Sequence, residues 1–253
     1  MTISKLKLLS GATAGVLLIG LTQNVAAHTR LNVPTMTEGT RIINHMIIGD
    51  NCAEGDRRII GTSVVFPDGV DSTILVDGQP HSGSLTDFLS NNNGIQLFFN
   101  RAVFDFMDEK ADSNGNVVGF WAGGGSGVPG NLSIATPFRL TAARIEPTSC
   151  AASVKLTISI ADVCQITTAE QLGGDDDGNV KLWTHNSLGT PFDRAGEADT
   201  GPAPFTIIRN LADNPLPGSC GENGVAVEII PSAAQINRDM PINFNGQQVW
   251  PLP

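Results

Sequence analysis

Residues 154–160 read VKLTISI, apolar at Val154, Leu156, Ile158 and Ile160 and polar between. That two-residue period belongs to a strand with one buried face. Short β-branched or aromatic runs recur at 62–66 (TSVVF), 72–76 (STILV) and 96–99 (QLFF), bounded by Gly, Pro or Asn clusters. Residues 205–208 (FTII) and 225–230 (VAVEII) read the same way. Asn114-Gly115 and residues 175–179 read as turns. Residues 86–90 read as one short helical turn. Long amphipathic helical patterns are scarce and no internal repeat is visible. The pattern predicts an all-β chain folded as a β-sandwich with Greek-key connections. The stretch 193–204, rich in Gly, Pro and acids, reads as a divider between a core and a C-terminal extension.

The N-terminus departs from this pattern. Lys5 and Lys7 form a basic head, residues 8–21 are apolar or small, and Val25-Ala26-Ala27 offers small residues to a signal peptidase. Residues 1–27 therefore read as a secretory leader rather than a membrane anchor, being too short and wrongly flanked for a span. No later segment approaches the roughly 20 apolar residues a span needs. The expected mature chain is exported, periplasmic, secreted or on the cell surface, and begins at His28. The formal net charge is −10 and falls further when Lys5 and Lys7 leave. Such a surface repels phosphate backbones and suits cations, which excludes nucleic acid as a natural partner. Four cysteines, Cys52, Cys150, Cys164 and Cys220, read as two disulfides in an oxidising compartment. With no C-x-x-C pair, a four-thiolate metal site is the weaker reading, and three connectivities are open.

Cleavage before His28 gives chemical meaning to the residue at the cut. A terminal histidine carries a free α-amine and a ring nitrogen that chelate one metal ion together, an arrangement called a histidine brace. The amine, with an ordinary pKa near ~8, must lose its proton to bind. Among divalent first-row metals Cu(II) competes best for nitrogen donors.

HTRLNVPTMTEGTR, beginning at His28, resembles the mature start of the YcnI-like family of exported copper-binding proteins. INHMIIGDNC with TSVVFPDGV, then VVGFWAGGG, then ISIADVC, DDDGNVKLW and GPAPFTIIR resemble later family segments in the same order, as far as Arg209. The resemblance implies an immunoglobulin-like β-sandwich over residues 28–209, with 210–253 as an extension packed on it. It implies a mononuclear copper site built from the terminal histidine, a glutamate and a tryptophan packed against the metal. Carried over, these are His28, Glu38 and Trp183. Glu38 sits one or two residues late, and Met36 lies two residues before it on the same strand face. Glu38 as a hard oxygen ligand favours Cu(II); Met36 as a thioether favours Cu(I). Family analogy also sets Cys52 against Cys164, leaving Cys150 for Cys220. The implied role is a non-enzymatic one: holding one copper ion for delivery to, or sequestration from, another envelope copper protein. A copper oxidase or oxygenase using the same brace is the alternative, and a metal-free adhesion or assembly domain is a third.

His185 follows Trp183 by two residues, so on one strand it would face the same side and serve as a further ligand or orient one. His45-Met46 lies in an apolar strand-like run and reads as partly buried packing, although both are copper donors. His81 reads as a loop residue facing solvent, and Trp121 and Trp250 as core or edge packing. Asp112-Ser-Asn114-Gly-Asn116 mimics the start of a calcium loop but lacks its sixth-position glycine and closing glutamate, so it reads as a hairpin turn. No motif ties a nucleophile to a base.

Overall fold

The computed structural model describes residues 29–49, 52, 57–90, 94–129, 132–172, 178–194 and 201–253. The expected leader, His28 and Asp175–Asp177 lie outside them. The first strands are β1 Arg30–Leu31, β2 Thr35–Thr37, β3 Arg41–Ile48, β4 Ile59–Val65, β5 Thr73–Val76, β6 Gln79–His81, β7 Ile95–Leu97 and β8 Phe106–Ala111. There follow β9 Val117–Val128, β10 Ile134–Thr141, β11 Ala151–Val163, β12 Val180–Trp183, β13 Ala203–Ile208 and β14 Val225–Ile230. The chain closes with helix α1 Ala233–Asp239 and the hairpin of β15 Ile242–Phe244 and β16 Gln247–Trp250.

Two sheets face each other. One has the order β1-β3-β10-β7. The other runs β6-β5-β14-β11-β4-β9-β8, with β12 and β13 also on β11 and β2 on β13. Met46, Ile48, Phe138 and Leu140 of the smaller sheet share one buried core with Val64, Phe120, Ile158 and Ile160 of the larger. The result is a β-sandwich, as the alternating pattern predicts. The helical turn predicted at 86–90 is a 3-10 turn, Leu85–Asp87.

Strand β11 is the spine. It pairs antiparallel with β13 over Ser153–Ile158, then with β12 over Ile160–Val163, while its other edge takes β14 in parallel and then β4. A strand covered on both faces reads as a nearly continuous apolar run, and β11 is buried from Leu156 to Val163.

The C-terminal residues are not an extension packed on a finished core. Strand β14 is inserted between β5 and β11 inside the larger sheet, so residues 210–253 supply part of the sandwich itself. Its VAVEII run already carries the strand signal. The error lies in ending the domain where the family likeness ends. Beyond β14, helix α1 and the final hairpin lie over the outer face of the larger sheet. There Ile236, Met240, Ile242 and Trp250 bury Val65, Trp121, Val163 and Leu182 in a second core.

Polar groups hold that cover in place. Ser232 caps α1 by accepting the Gln235 N–H at 3.0 Å. Arg238 reaches back from α1 to the fully buried carboxylate of Asp68 at 2.6 Å. Gln235 donates to Phe66 O and accepts from Asp68 N–H. Lys110 of β8 donates to Ser63 Oγ and to the backbone oxygens of Asp239, Met240 and Pro241, the carbonyl end of α1.

Both disulfides are formed, Cys52–Cys164 and Cys150–Cys220. The first ties the segment before β4 to the end of β11. The second ties the start of β11 to the loop before β14. Such bonds belong to an oxidising compartment. Among the described residues no helix is long and apolar enough to cross a membrane.

Candidate metal centre

Asp162 sits in β11 between Ala161 and Val163 and is fully buried. A carboxylate there must be hydrogen-bonded or its burial costs several kcal/mol, of order the penalty for an unpaired ion. Among the described residues three donors converge on it. Thr62 Oγ1, on the neighbouring strand β4, donates to Oδ1 at 2.8 Å. Trp183 Nε1 donates to Oδ2 at 3.0 Å, and Thr29 Oγ1 donates to the same oxygen at 2.5 Å. Thr29 and Trp183 are themselves buried. Thr29 follows His28 directly in the chain, so this bond ties the polypeptide beside His28 to the same carboxylate that holds Trp183.

Register explains how Trp183 arrives there. It is the last residue of β12 and pairs with Ile160, two positions from Asp162. Alternation puts Ile160 and Asp162 on one face of β11, and Trp183 presents its ring to that face. The Arg194 guanidinium lies over the Trp183 ring at 5.6 Å, within cation–π range.

Glu38 does not join this cluster. Its carboxylate is buried and accepts Ile145 N–H at 2.6 Å and Asn210 N–H at 2.8 Å. Asn214 Nδ2 bridges both of its oxygens at 3.1 Å. Glu38 N–H in turn donates to Ile208 O, and Ile208 pairs with Ser153 at the far end of β11. Nine residues of strand separate Ser153 from Asp162, about 30 Å at a strand's rise. The glutamate is a fastener for the loops around Ile145 and Asn210, not a neighbour of Trp183.

Met36 is likewise elsewhere. It pairs with Ile207 across β2 and β13 and is buried in the main core, at the same distal end of β11. Its thioether is apolar packing.

His185 is buried and its Nε2 lies 3.1 Å from Thr157 Oγ1. Thr157 spends its own proton on Ile229 O at 3.1 Å, so the histidine is the donor of that pair and Nε2 carries hydrogen. Thr157 and Asp162, five residues apart, point to opposite faces of β11. The same-side expectation fails because β12 ends at Trp183, and the two-residue alternation does not continue to His185.

The remaining histidines take ordinary roles. His45 is half-buried in β3, opposite Pro137. His81 pairs with Asp87 at 2.9 Å, and that contact holds the Asp87 carboxyl below its usual range. Asp112 accepts from Asn114 N–H and from the backbone and side chain of Asn116, the turn its sequence predicts. Trp121 and Trp250 are buried packing.

Asp162 is the residue that sequence reasoning missed. The signal was available: a single acid among Ile158, Ile160, Ala161 and Val163 is a charge in a run that can only be buried, and buried charges have partners. Among the described residues no three His, Cys, Asp or Glu side chains stand close enough to hold a metal by themselves. The described residues here bring together one carboxylate and one indole.

No protein-family model and no curated protein matches the chain. Among solved structures it is similar to an uncharacterized protein from Nocardia farcinica, whose crystal structure is described as revealing an immunoglobulin-like fold. The identity is 11% over 72% of this chain and 99% of that one, with a TM-score of 0.37.

Proposed function

We propose that the exported chain binds one copper ion at His28, through its α-amine and ring nitrogen, beside Asp162 and Trp183. The role is to hold the ion for delivery or sequestration in the envelope or outside the cell. One observation carries this reading: Thr29, the residue after His28, and Trp183 both donate to Asp162 Oδ2. His28 and Trp183 are two of the three residues that the YcnI-like resemblance places at copper, and they are 155 positions apart in the chain.

The donor set fits the metal. Two nitrogens and a carboxylate oxygen suit Cu(II) more than Cu(I), and the soft thioether of Met36 is buried elsewhere. Copper supplies the Lewis acidity that the two nitrogens bind. The chain's own residues do the rest. Thr62 and Thr29 orient the Asp162 carboxylate, Trp183 fixes it from the side, and the apolar walls of β11 and β4 limit water. The amine takes up a proton when the ion leaves, so acid or a competing ligand releases it. Transfer by ligand exchange needs no catalytic group.

The test is Cu(II) titration of the mature chain after its mass has established that it begins at His28. Tight one-to-one binding, abolished in His28→Ala with the fold intact, supports the assignment. Binding that survives that substitution ends it.

A further inference from the structure

The smaller sheet departs from the acidity of the rest of the chain. The protein carries 25 acidic against 15 basic side chains, yet β1, β3, β7 and β10 hold three arginines and neither Asp nor Glu. Register sets two of those arginines together. Arg139 of β10 lies between Ile43 of β3 and Gln96 of β7, and Thr141, two residues on, pairs with Arg41 of β3. Phe138 and Leu140 point into the core, so Arg139 and Thr141, with their cross-strand partners Gln96 and Arg41, face outward. Arg41 and Arg139 are then diagonal neighbours, roughly 7–8 Å apart at Cα.

These four side chains line one open pocket of about 310 Å³. Gly94 lies in the same lining, where a Cβ would meet Thr141 O at 2.6 Å, so the chain before β7 passes close against β10 without a side chain. The donors around the pocket are free. Arg41 uses Nε alone, donating to Thr141 Oγ1 at 3.3 Å, which leaves both its Nη groups and the Thr141 hydroxyl proton. Among the described residues Arg139 and the Gln96 side chain have no hydrogen-bond partner, and neither arginine has a carboxylate within ion-pair distance. Lys155 and Arg238, by contrast, are paired with Glu228 and Asp68. Glu109, also in the lining, turns Oε1 to Leu97 N–H at 2.7 Å instead.

We propose that this pocket binds a small organic dicarboxylate, one carboxylate on each guanidinium, with the Gln96 amide and the Thr141 hydroxyl as further donors. Each guanidinium presents a planar fork of N–H groups that matches a carboxylate two bonds at a time. Two like charges set side by side on a sheet repel, and an anion between them removes that repulsion. The separation of the two arginines spreads the positive charge over two points, which suits two spaced carboxylates better than one compact phosphate. The Glu109 carboxylate holds the ligand's negative groups to the arginine side. The site is separate from the proposed metal centre, because Arg41 and Arg139 belong to the smaller sheet and Asp162 to β11 of the larger.

Glutarate is the probe, with its uncharged diamide and inorganic phosphate as comparisons. Binding to the full mature chain is followed by the amide chemical shifts of isotope-labelled protein, which report both where the probe sits and how tightly it binds. Saturable glutarate binding is expected, with the largest shifts at Gly94, Gln96, Arg139 and Thr141. Arg139→Gln should weaken it about 10-fold, the scale of one charge-assisted hydrogen-bonded pair, and Arg41→Gln about 3–10-fold. Glu109→Gln keeps the acceptor for Leu97, removes a repelling charge and should tighten binding about 2–5-fold. Absence of saturable shifts at these amides overturns the site, as does unchanged affinity in both arginine variants with Tm unaltered. Binding of the diamide or of phosphate as tight as that of glutarate overturns the dicarboxylate assignment.

Discussion

Trp183 donates its indole N–H to Asp162 at 3.0 Å inside a buried stretch of β11, so an aromatic ring and a carboxylate are held as one unit. Thr29 bonds to the same carboxylate oxygen, which brings the start of the described chain to that unit. On the proposed assignment, copper binding is coupled to the packing of the sandwich.

Asp162→Asn should lower Cu(II) affinity by about 10–100-fold, the scale expected when a metal's oxygen ligand or its immediate partner is lost. Trp183→Phe tests the same unit more gently. It keeps an aromatic ring, removes the bond to Asp162 and should cost about 1.5–3 kcal/mol of stability. Isothermal titration and urea unfolding measure the two effects.

Glu38→Gln should reverse that pattern. The amide cannot accept the Ile145 and Asn210 N–H bonds on both of its ends, so stability should fall by about 2–3 kcal/mol. Copper affinity should stay within twofold of the unsubstituted chain. A large affinity loss with unchanged Tm would return Glu38 to the ligand set.

The contrast between these two acids shows what could be read from residues alone. Alternation located β11 and β14, because a half-buried strand writes its period into sequence. The same alternation was silent on which acid meets Trp183, since that depends on β12 pairing with β11 over Ile160–Val163, a long-range register. Glu38 enters as a ligand through the YcnI-like resemblance, which follows order along the chain and not register. The antiparallel β1–β3 pairing and the β2–β13 pairing carry the residue away to the distal end of the spine. The place of residues 225–230 was misjudged for a similar reason: strand character is local, while insertion between β5 and β11 is topological.

Arg238→Ala should destabilise the fold by about 2 kcal/mol, because the fully buried Asp68 carboxylate would lose its 2.6 Å partner. The figure is below that of an enclosed pair because the Arg238 side chain is partly exposed. The hydrogen bonds that Arg238 donates to Asp239, against the cost of burial, and then the one it donates to Asp68, hold the guanidinium well above its ordinary range. Hydrogen exchange should show α1 and the final hairpin opening first in this variant.

Burial pushes the Lys110 ammonium down to about 7, against the upward pull of the Asp239 carboxylate. A lysine whose folded value lies below its unfolded value binds fewer protons in the native state between the two. Stability attributable to Lys110 therefore rises with pH from about 7 toward the ordinary lysine value near ~10.4. Urea midpoints at pH 7 and pH 9.5 should show this rise, and Lys110→Met should remove it.

The most direct test of the copper assignment is the electron paramagnetic resonance spectrum of the mature chain loaded with one Cu(II), compared with a variant carrying one extra residue ahead of His28. The account predicts coupling to two nitrogens in the first and its loss, with a fall in affinity, in the second. An identical spectrum and an undiminished affinity in the extended chain would contradict it.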